Sequence, residues 1–412
     1  MQSTNVAKQS LLARPGTIAT MVGLIAVVWF MLLSGWLKSV PGSVVVKRQN
    51  VLFNADSSIW LDRMVGNAVS PEEAVHPLEI AFWRPPVKAT QHLLEVFMPS
   101  DHAGIFAARL VVAIVHGMGV GFLAFLALRL GVKLPQCILL FIIYLLFTSN
   151  ATASLPEHFG ISNGLLSMAF VVPIFLASGV ARTAFLVAMV VLCGGTTITN
   201  ALYPVAALWQ YFFKSKRARL IVLAVVAPLG LAAALFLYMK SYVIHHFVND
   251  YSTFRLLHDP LRACVYGIYT FLSPAVGPTP RIMREPGWDM VSYEPAHEVL
   301  RLSYYFGLQA IGAIAWFVLL FTCLAKALRD ERTRIYVWLP LGWVLFSAVF
   351  HNIWGDELLL FSPHWSWALI ALVILGAREL SVKFVAAAFV PIVVSQIYTF
   401  LRIKSALETI TR

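Results

Sequence analysis

Runs of apolar residues long enough to cross a lipid bilayer recur along the whole chain, and the charges between them are sorted by side. Such a run satisfies its own backbone hydrogen bonds in lipid only as a helix, so a chain built of many has few folds open to it. Eleven spans are expected, near 17–38, 105–128, 135–148, 160–180, 184–198, 200–213, 219–238, 299–324, 335–350, 362–377 and 384–400. The short connections on one side hold 15 basic residues (Lys8, Arg14, Arg129, Lys133, Arg182, Lys214, Lys216, Arg217, Arg219, Lys326, Arg329, Arg332, Arg334, Arg378 and Lys383). Only Asp330, Glu331 and Glu379 accompany them, whereas the other side holds 16 basic and 17 acidic residues. Short Lys/Arg-rich loops face the cytoplasm. The asymmetry therefore predicts an all-α polytopic membrane protein with a cytoplasmic N-terminus and most of its carboxylates outside.

With 59% hydrophobic and 12% charged residues, the 412-residue chain is no ordinary soluble protein. It reads as a single integral membrane domain over 1–412, its N-terminal apolar run a retained first helix rather than a cleaved signal. The basic excess suits anionic lipid headgroups; scattered over separate short loops, it makes no case for nucleic acid. A turn at Thr196-Thr197-Ile198-Thr199-Asn200 lets 184–213 enter and return, the alternative being one long tilted helix. Three of the four cysteines lie in expected spans, so no disulfide is expected. Histidine spacing gives no metal motif, no cofactor is implied, and a divalent metal is left open.

Two connections on the outer side are large, 39–104 and 239–298, with smaller turns at 149–159 and 351–361. Loops of this length usually carry function. Ile59-Trp60-Leu61, Ala81-Phe82-Trp83 and the stretch from Cys264 to Leu272 suit short interfacial helices with aromatic rings at headgroup level. Asp56, early in the first loop, is a candidate proton acceptor because a carboxylate beside apolar groups is partly desolvated. Its plainer reading is a helix N-cap. Pro156-Glu157-His158 sits in a short turn where Glu157 either starts a helix or, with His158, contacts a polar substrate.

Arg109, near the expected outer end of the second span, either snorkels or binds phosphate through its planar guanidinium; Arg301 and Lys240 occupy comparable places. Ten of the 11 histidines fall outside the spans, and His76 and the His351–His364 stretch, with His364 itself, are the ones that suit a substrate site. That late stretch is equally an interfacial belt anchored by Trp354 and Trp365. Asn150-Ala151-Thr152 fits a glycosylation sequon.

Together these features resemble the type C membrane glycosyltransferases that use polyprenyl-phosphate sugars, the superfamily of protein mannosyltransferases and aminoarabinose transferases. The resemblance rests on Asp56 after the first span, on Ala107-Ala108-Arg109-Leu110-Val111-Val112 opening the second, on Pro156-Glu157 starting a later span, and on the large late loop. It covers about the first 240 residues. An Arg-Tyr element of many members is replaced by Ser362-Pro363-His364-Trp365. The resemblance implies transfer of a sugar from a polyprenyl-phosphate donor to an acceptor hydroxyl on a glycan, lipid or protein. Asp56 would be the base and Arg109 a donor-phosphate contact, in a membrane, the bacterial inner membrane favoured. A multi-spanning transporter, a lipid-linked polysaccharide polymerase or ligase and a non-catalytic assembly factor remain alternatives on sequence.

Overall fold

The computed structural model describes residues 15–39, 45, 51–53, 55–66, 78–212, 260–285, 288–292, 305–353 and 358–410. The expected span at 219–238, His76, Lys240, Arg301 and Trp354 lie outside the described residues. Helix α1 (Pro15–Lys38) is followed by the short α2 (Ser57–Val65) and α3 (Glu79–Leu94), then by the long α4 (Ser100–Arg129). Next come α5 (Leu134–Leu145), the single turn α6 (Asn150–Ala153), α7 (His158–Phe175), α8 (Gly179–Thr196), α9 (Leu202–Phe212) and α10 (Pro260–Leu272). A hairpin of β1 (Arg281–Glu285) and β2 (Trp288–Ser292) precedes α11 (Gly307–Arg329), α12 (Glu331–Ile353), the single turn α13 (Leu358–Phe361), α14 (Pro363–Ala377) and α15 (Val382–Ile410).

Seven of these helices, α1, α4, α7, α8, α11, α12 and α15, are long and apolar enough to cross a membrane; α5, α14 and Ala263–Leu272 are shorter apolar helices. The chain is therefore a multi-pass helical membrane protein. The expected turn after Thr196 is present: Thr197 is extended, a 3-10 turn spans Ile198–Ala201, and α9 packs back on α8. The β-hairpin, register Arg281↔Ser292 to Glu285↔Trp288, departs from the all-helical expectation.

Every residue of α14 is buried, against α7, α11 and α12. Close approach is made by small residues, as packing between apolar helices requires. A Cβ on Gly23 would lie 3.1 Å from Gly117 O, where α1 meets α4, and one on Gly119 would lie 2.7 Å from the Cα of Gly164, where α4 meets α7.

Basic residues mark one end of the bundle, where α4 ends in Arg129, α11 in Lys326 and Arg329, and α14 is followed by Arg378. Backbone carbonyls there are tied by side chains: Gln136 Nε2 donates to Ala377 O and Leu380 O, and Arg182 donates to Pro173 O and Leu176 O. At the opposite end, Lys404 of α15 donates to Trp36 O of α1.

The central helices are shorter than their neighbours. At 1.5 Å per residue α14 spans ~22 Å and α5 ~18 Å, against ~45 Å for α4. At the end opposite the basic residues, buried non-helical chain occupies the remaining depth: residues 146–157, interrupted by α6, and 273–280. Irregular backbone inside an apolar bundle must be hydrogen-bonded by protein. Trp316 Nε1 donates to Phe271 O, Tyr305 OH to Val276 O, and Thr399 Oγ1 to Gly277 O.

The aromatic residues expected at headgroup level are turned inward instead. Trp60, Trp83, Tyr266, Tyr269 and Trp365 are buried, and their polar atoms explain why: Trp365 Nε1 donates to Thr270 O, and both other indoles find side-chain acceptors. The sequon asparagine is buried too, with Nδ2 donating to Tyr144 O and Leu145 O.

A methyl group at Gly376 would lie 1.9 Å from Cys323 O, a backbone atom that cannot rotate away. Gly376→Ala should therefore force α11 and α14 apart and lower stability by about 1–3 kcal/mol. Gly342→Ala, where nothing lies within 4 Å, should be neutral or stabilising. Thermal unfolding of the two variants in detergent checks the contrast, and equal midpoints would contradict the packing described.

Candidate functional site

The end of the bundle away from the basic residues gathers side chains from α2, α3, α7, α14 and the α8–α9 turn. Asp56 is the N-cap residue of α2, with its carboxylate exposed and making no cap hydrogen bond to its own helix. The chain reaches it through a fixed approach: Phe53 N–H donates to Val291 O at 2.8 Å and Val291 N–H to Val51 O at 2.9 Å, a bridge from the first loop onto β2. Phe53 is buried at φ 52°, a conformation uncommon for a large side chain, and these bonds hold it there.

The N-termini of α2 and α7 meet at Glu157. This residue is the N-cap position of α7, but its carboxylate does not cap α7. It reaches α2 instead, where Oε1 accepts from Ser57 Oγ at 3.2 Å and the carboxylate accepts the backbone N–H of Asp56. Glu157 is buried, and burial first, then the charge of Asp56, pushes its carboxyl well above the ordinary 4.5. The Ser57 hydroxyl opposes that rise, Glu79 adds to it, and the Asp56 N–H opposes it. Burial thus favours the protonated form of Glu157, beside the exposed Asp56. A pair of carboxyls with environments this different is the arrangement that lets one stay neutral and the other act as a base.

Glu79 is a second buried acid. Its Oε1 accepts Trp60 Nε1–H at 2.6 Å, Oε2 lies 3.7 Å from Arg63 Nη1, and Oε1 lies 3.8 Å from His158 Nδ1. It opens α3 and pins α2 against α7. Arg84 and Lys88, further along α3, donate to Gly66 O and Val65 O, which closes the other end of α2. Trp83 Nε1 donates to Thr196 Oγ1 at 2.9 Å, and Leu78 N–H to Gly195 O, tying α3 to the end of α8. His158 stands beside His364 with ring centroids 5.9 Å apart. The Asn200 amide is 3.0 Å from His364 Nδ1. The indoles of Trp343 and Trp367 both donate to His364 O, so the start of α14 is held rigidly.

Of the residues singled out from the sequence, Asp56, Glu157, His158 and His364 come together. Arg109 does not join them. The second span begins at Ser100 rather than near 105, so Arg109 lies ~13 Å inside it. Its Nε donates to Ser34 Oγ at 2.8 Å and its Nη2 to Met31 O at 2.7 Å, a staple between α4 and α1. His351 is buried beside Phe361 and Trp365. Glu79, Arg63 and Asn200 escaped sequence reading. The one signal for Glu79 was its position as the acid that opens the aromatic run Ile80-Ala81-Phe82-Trp83. Among the described residues no group of three or more His, Cys, Asp or Glu side chains is arranged to hold a metal ion.

Because the folded Glu157 binds its proton more tightly than an unfolded chain does, stability should fall as pH rises above 4.5 toward its folded value. Glu157→Gln preserves the neutral shape and should remove that slope, whereas Glu157→Ala takes the acceptor from the buried Ser57 hydroxyl and from the Asp56 N–H and should cost about 1–3 kcal/mol. Unfolding midpoints for the three proteins from about pH 5 to pH 8 test this, and a slope that survives in the Gln variant would assign the proton elsewhere. Comparison of the chain with family models, with curated proteins and with solved structures finds no match.

Proposed function

We propose that the chain is a membrane glycosyltransferase that moves a sugar from a polyprenyl-phosphate donor to an acceptor hydroxyl, with Asp56 as general base. The observation that carries the reading is the exposed Asp56 beside the buried Glu157 at the carboxylate-rich end of an apolar bundle. The orientation that puts this end outside, with the N-terminus cytoplasmic, rests on the basic connections of the other end. A bacterial inner membrane is part of the same reading.

In this mechanism the acceptor O–H gives its proton to Asp56 as its oxygen attacks the anomeric carbon. The bond from that carbon to the phosphate oxygen breaks, and polyprenyl phosphate leaves with the electron pair. Because burial favours the protonated form of Glu157, the exposed Asp56 is the member of the pair placed to take the acceptor's proton. Ser57 and Glu79 keep the first turn of α2, and so the carboxylate, in place. Charge growing on the leaving phosphate calls for a cation. Arg109 is committed to α1 and does not supply it. The isoprenoid tail remains among apolar helix faces and needs no charge.

A second reading draws on the same cluster. Buried acids and histidines inside a membrane bundle also suit proton-coupled transport. Asp56→Asn separates the two. In our reading it lowers transfer of labelled sugar from a polyprenyl-phosphate donor by about 10²–10⁴-fold, the usual contribution of a general base, with folding and membrane insertion intact. Unchanged transfer removes Asp56 as base. Substrate-dependent proton flux into proteoliposomes, without any transfer by the wild-type protein, would favour transport.

A further inference from the structure

Away from the acidic cluster, two helix C-termini converge on one buried junction. Helix α5 ends at Leu145 and α10 at Leu272. The chain that follows each is joined to the other: Ser149 N–H donates to Pro274 O at 3.0 Å, and Gly277 N–H to Thr148 Oγ1 at 2.8 Å. Two amide side chains enter here. Gln396 Nε2 donates to Ile143 O at 3.1 Å and to Ala275 O at 3.0 Å, and Asn150 Nδ2 donates to Tyr144 O at 2.7 Å and to Leu145 O at 3.0 Å. Each nitrogen faces two carbonyls, so neither amide can flip without setting oxygen against oxygen.

Both amide oxygens are thereby fixed and left over. Asn150 Oδ1 and Gln396 Oε1 are buried without a hydrogen-bond partner, and so are Ser149 Oγ and Ser273 Oγ on the adjoining chain. All four residues are at most 1% exposed. Leaving such groups unsatisfied inside an apolar bundle is costly. The set is all oxygen and uncharged. A bridging water would also suit four neutral oxygens. The two helix C-termini decide between them, because each presents a partial negative charge. That field favours a cation, and ends of interrupted membrane helices with hydroxyl and carbonyl oxygens are suited to a small monovalent one.

We propose that Ser149, Asn150, Ser273 and Gln396 form a buried site for a monovalent cation of the sodium class, which locks the junction of α5, α10 and α15. The site does not depend on the glycosyltransferase reading. The test uses the full-length protein in detergent, with unfolding midpoints measured in sodium chloride against choline chloride at equal ionic strength. Sodium should raise the midpoint in a saturable way, and radiolabelled sodium should bind with a stoichiometry near one per chain. Ser149→Ala and Ser273→Ala, each removing one oxygen with little change of shape, should weaken sodium binding about tenfold, which is ~1.4 kcal/mol. Identical midpoints in the two salts with no saturable sodium binding would overturn the proposal and leave the oxygens to water. Folded serine variants that bind sodium as the wild type does would also overturn it, as would two substituted chains that fail to fold while the wild type binds no sodium.

Discussion

Inside a bundle of apolar helices, a peptide group that leaves the helix must find its hydrogen bonds among protein side chains, because lipid offers none. Much of this molecule is arranged around that demand. Two central helices, α5 and α14, are too short to run the depth of their neighbours, and the backbone beyond α5 and α10 is irregular and buried. Gln396, Gln309, Thr399 and Tyr305 are spent on its carbonyls, and Asn150 and Trp316 on those of the last turns of α5 and α10. A polar residue in these helices is thus a structural requirement before it is a chemical one. The same economy accounts for Arg109, whose two donors go to α1.

The acidic cluster obeys a related rule. A buried acid must be protonated, paired or hydrogen-bonded, and the two here solve the problem differently. Glu79 is held by an indole, an arginine and a histidine. Glu157 is held by the start of a neighbouring helix, and its burial favours the protonated form. Asp56, one residue before Ser57, is left facing solvent at a place fixed by both.

The helices were legible because apolar length acts locally: nine of the ten expected spans among the described residues overlap a helix of at least 12 residues, and seven helices are long and apolar enough to cross a membrane. The tenth, at 200–213, is the 11-residue α9. The meeting of Asp56, Glu157, His158 and His364 was not legible, because it depends on which faces of α2, α7 and α14 turn together. Hydrophobic periodicity says little about facing when a helix is apolar all round. Arg109 misled for a definite reason: the polar residues Ser100, Asp101 and His102 read as loop, whereas they form the first turn of α4. Trp60 and Trp83 misled because an indole in a membrane protein is more often an interfacial anchor than a buried donor.

The bridge from Val51–Phe53 to Val291 joins parts of the chain that leave the ribosome far apart in time. Helices α1 through α9 can be inserted and packed before Val291 has been made, but the approach to Asp56 lacks its partner strand until then. Phe53 gains the bonds that hold its unfavourable backbone only when β2 arrives. During biogenesis the carboxylate would consequently take up its final position late, after most of the apolar scaffold had been threaded into the bilayer.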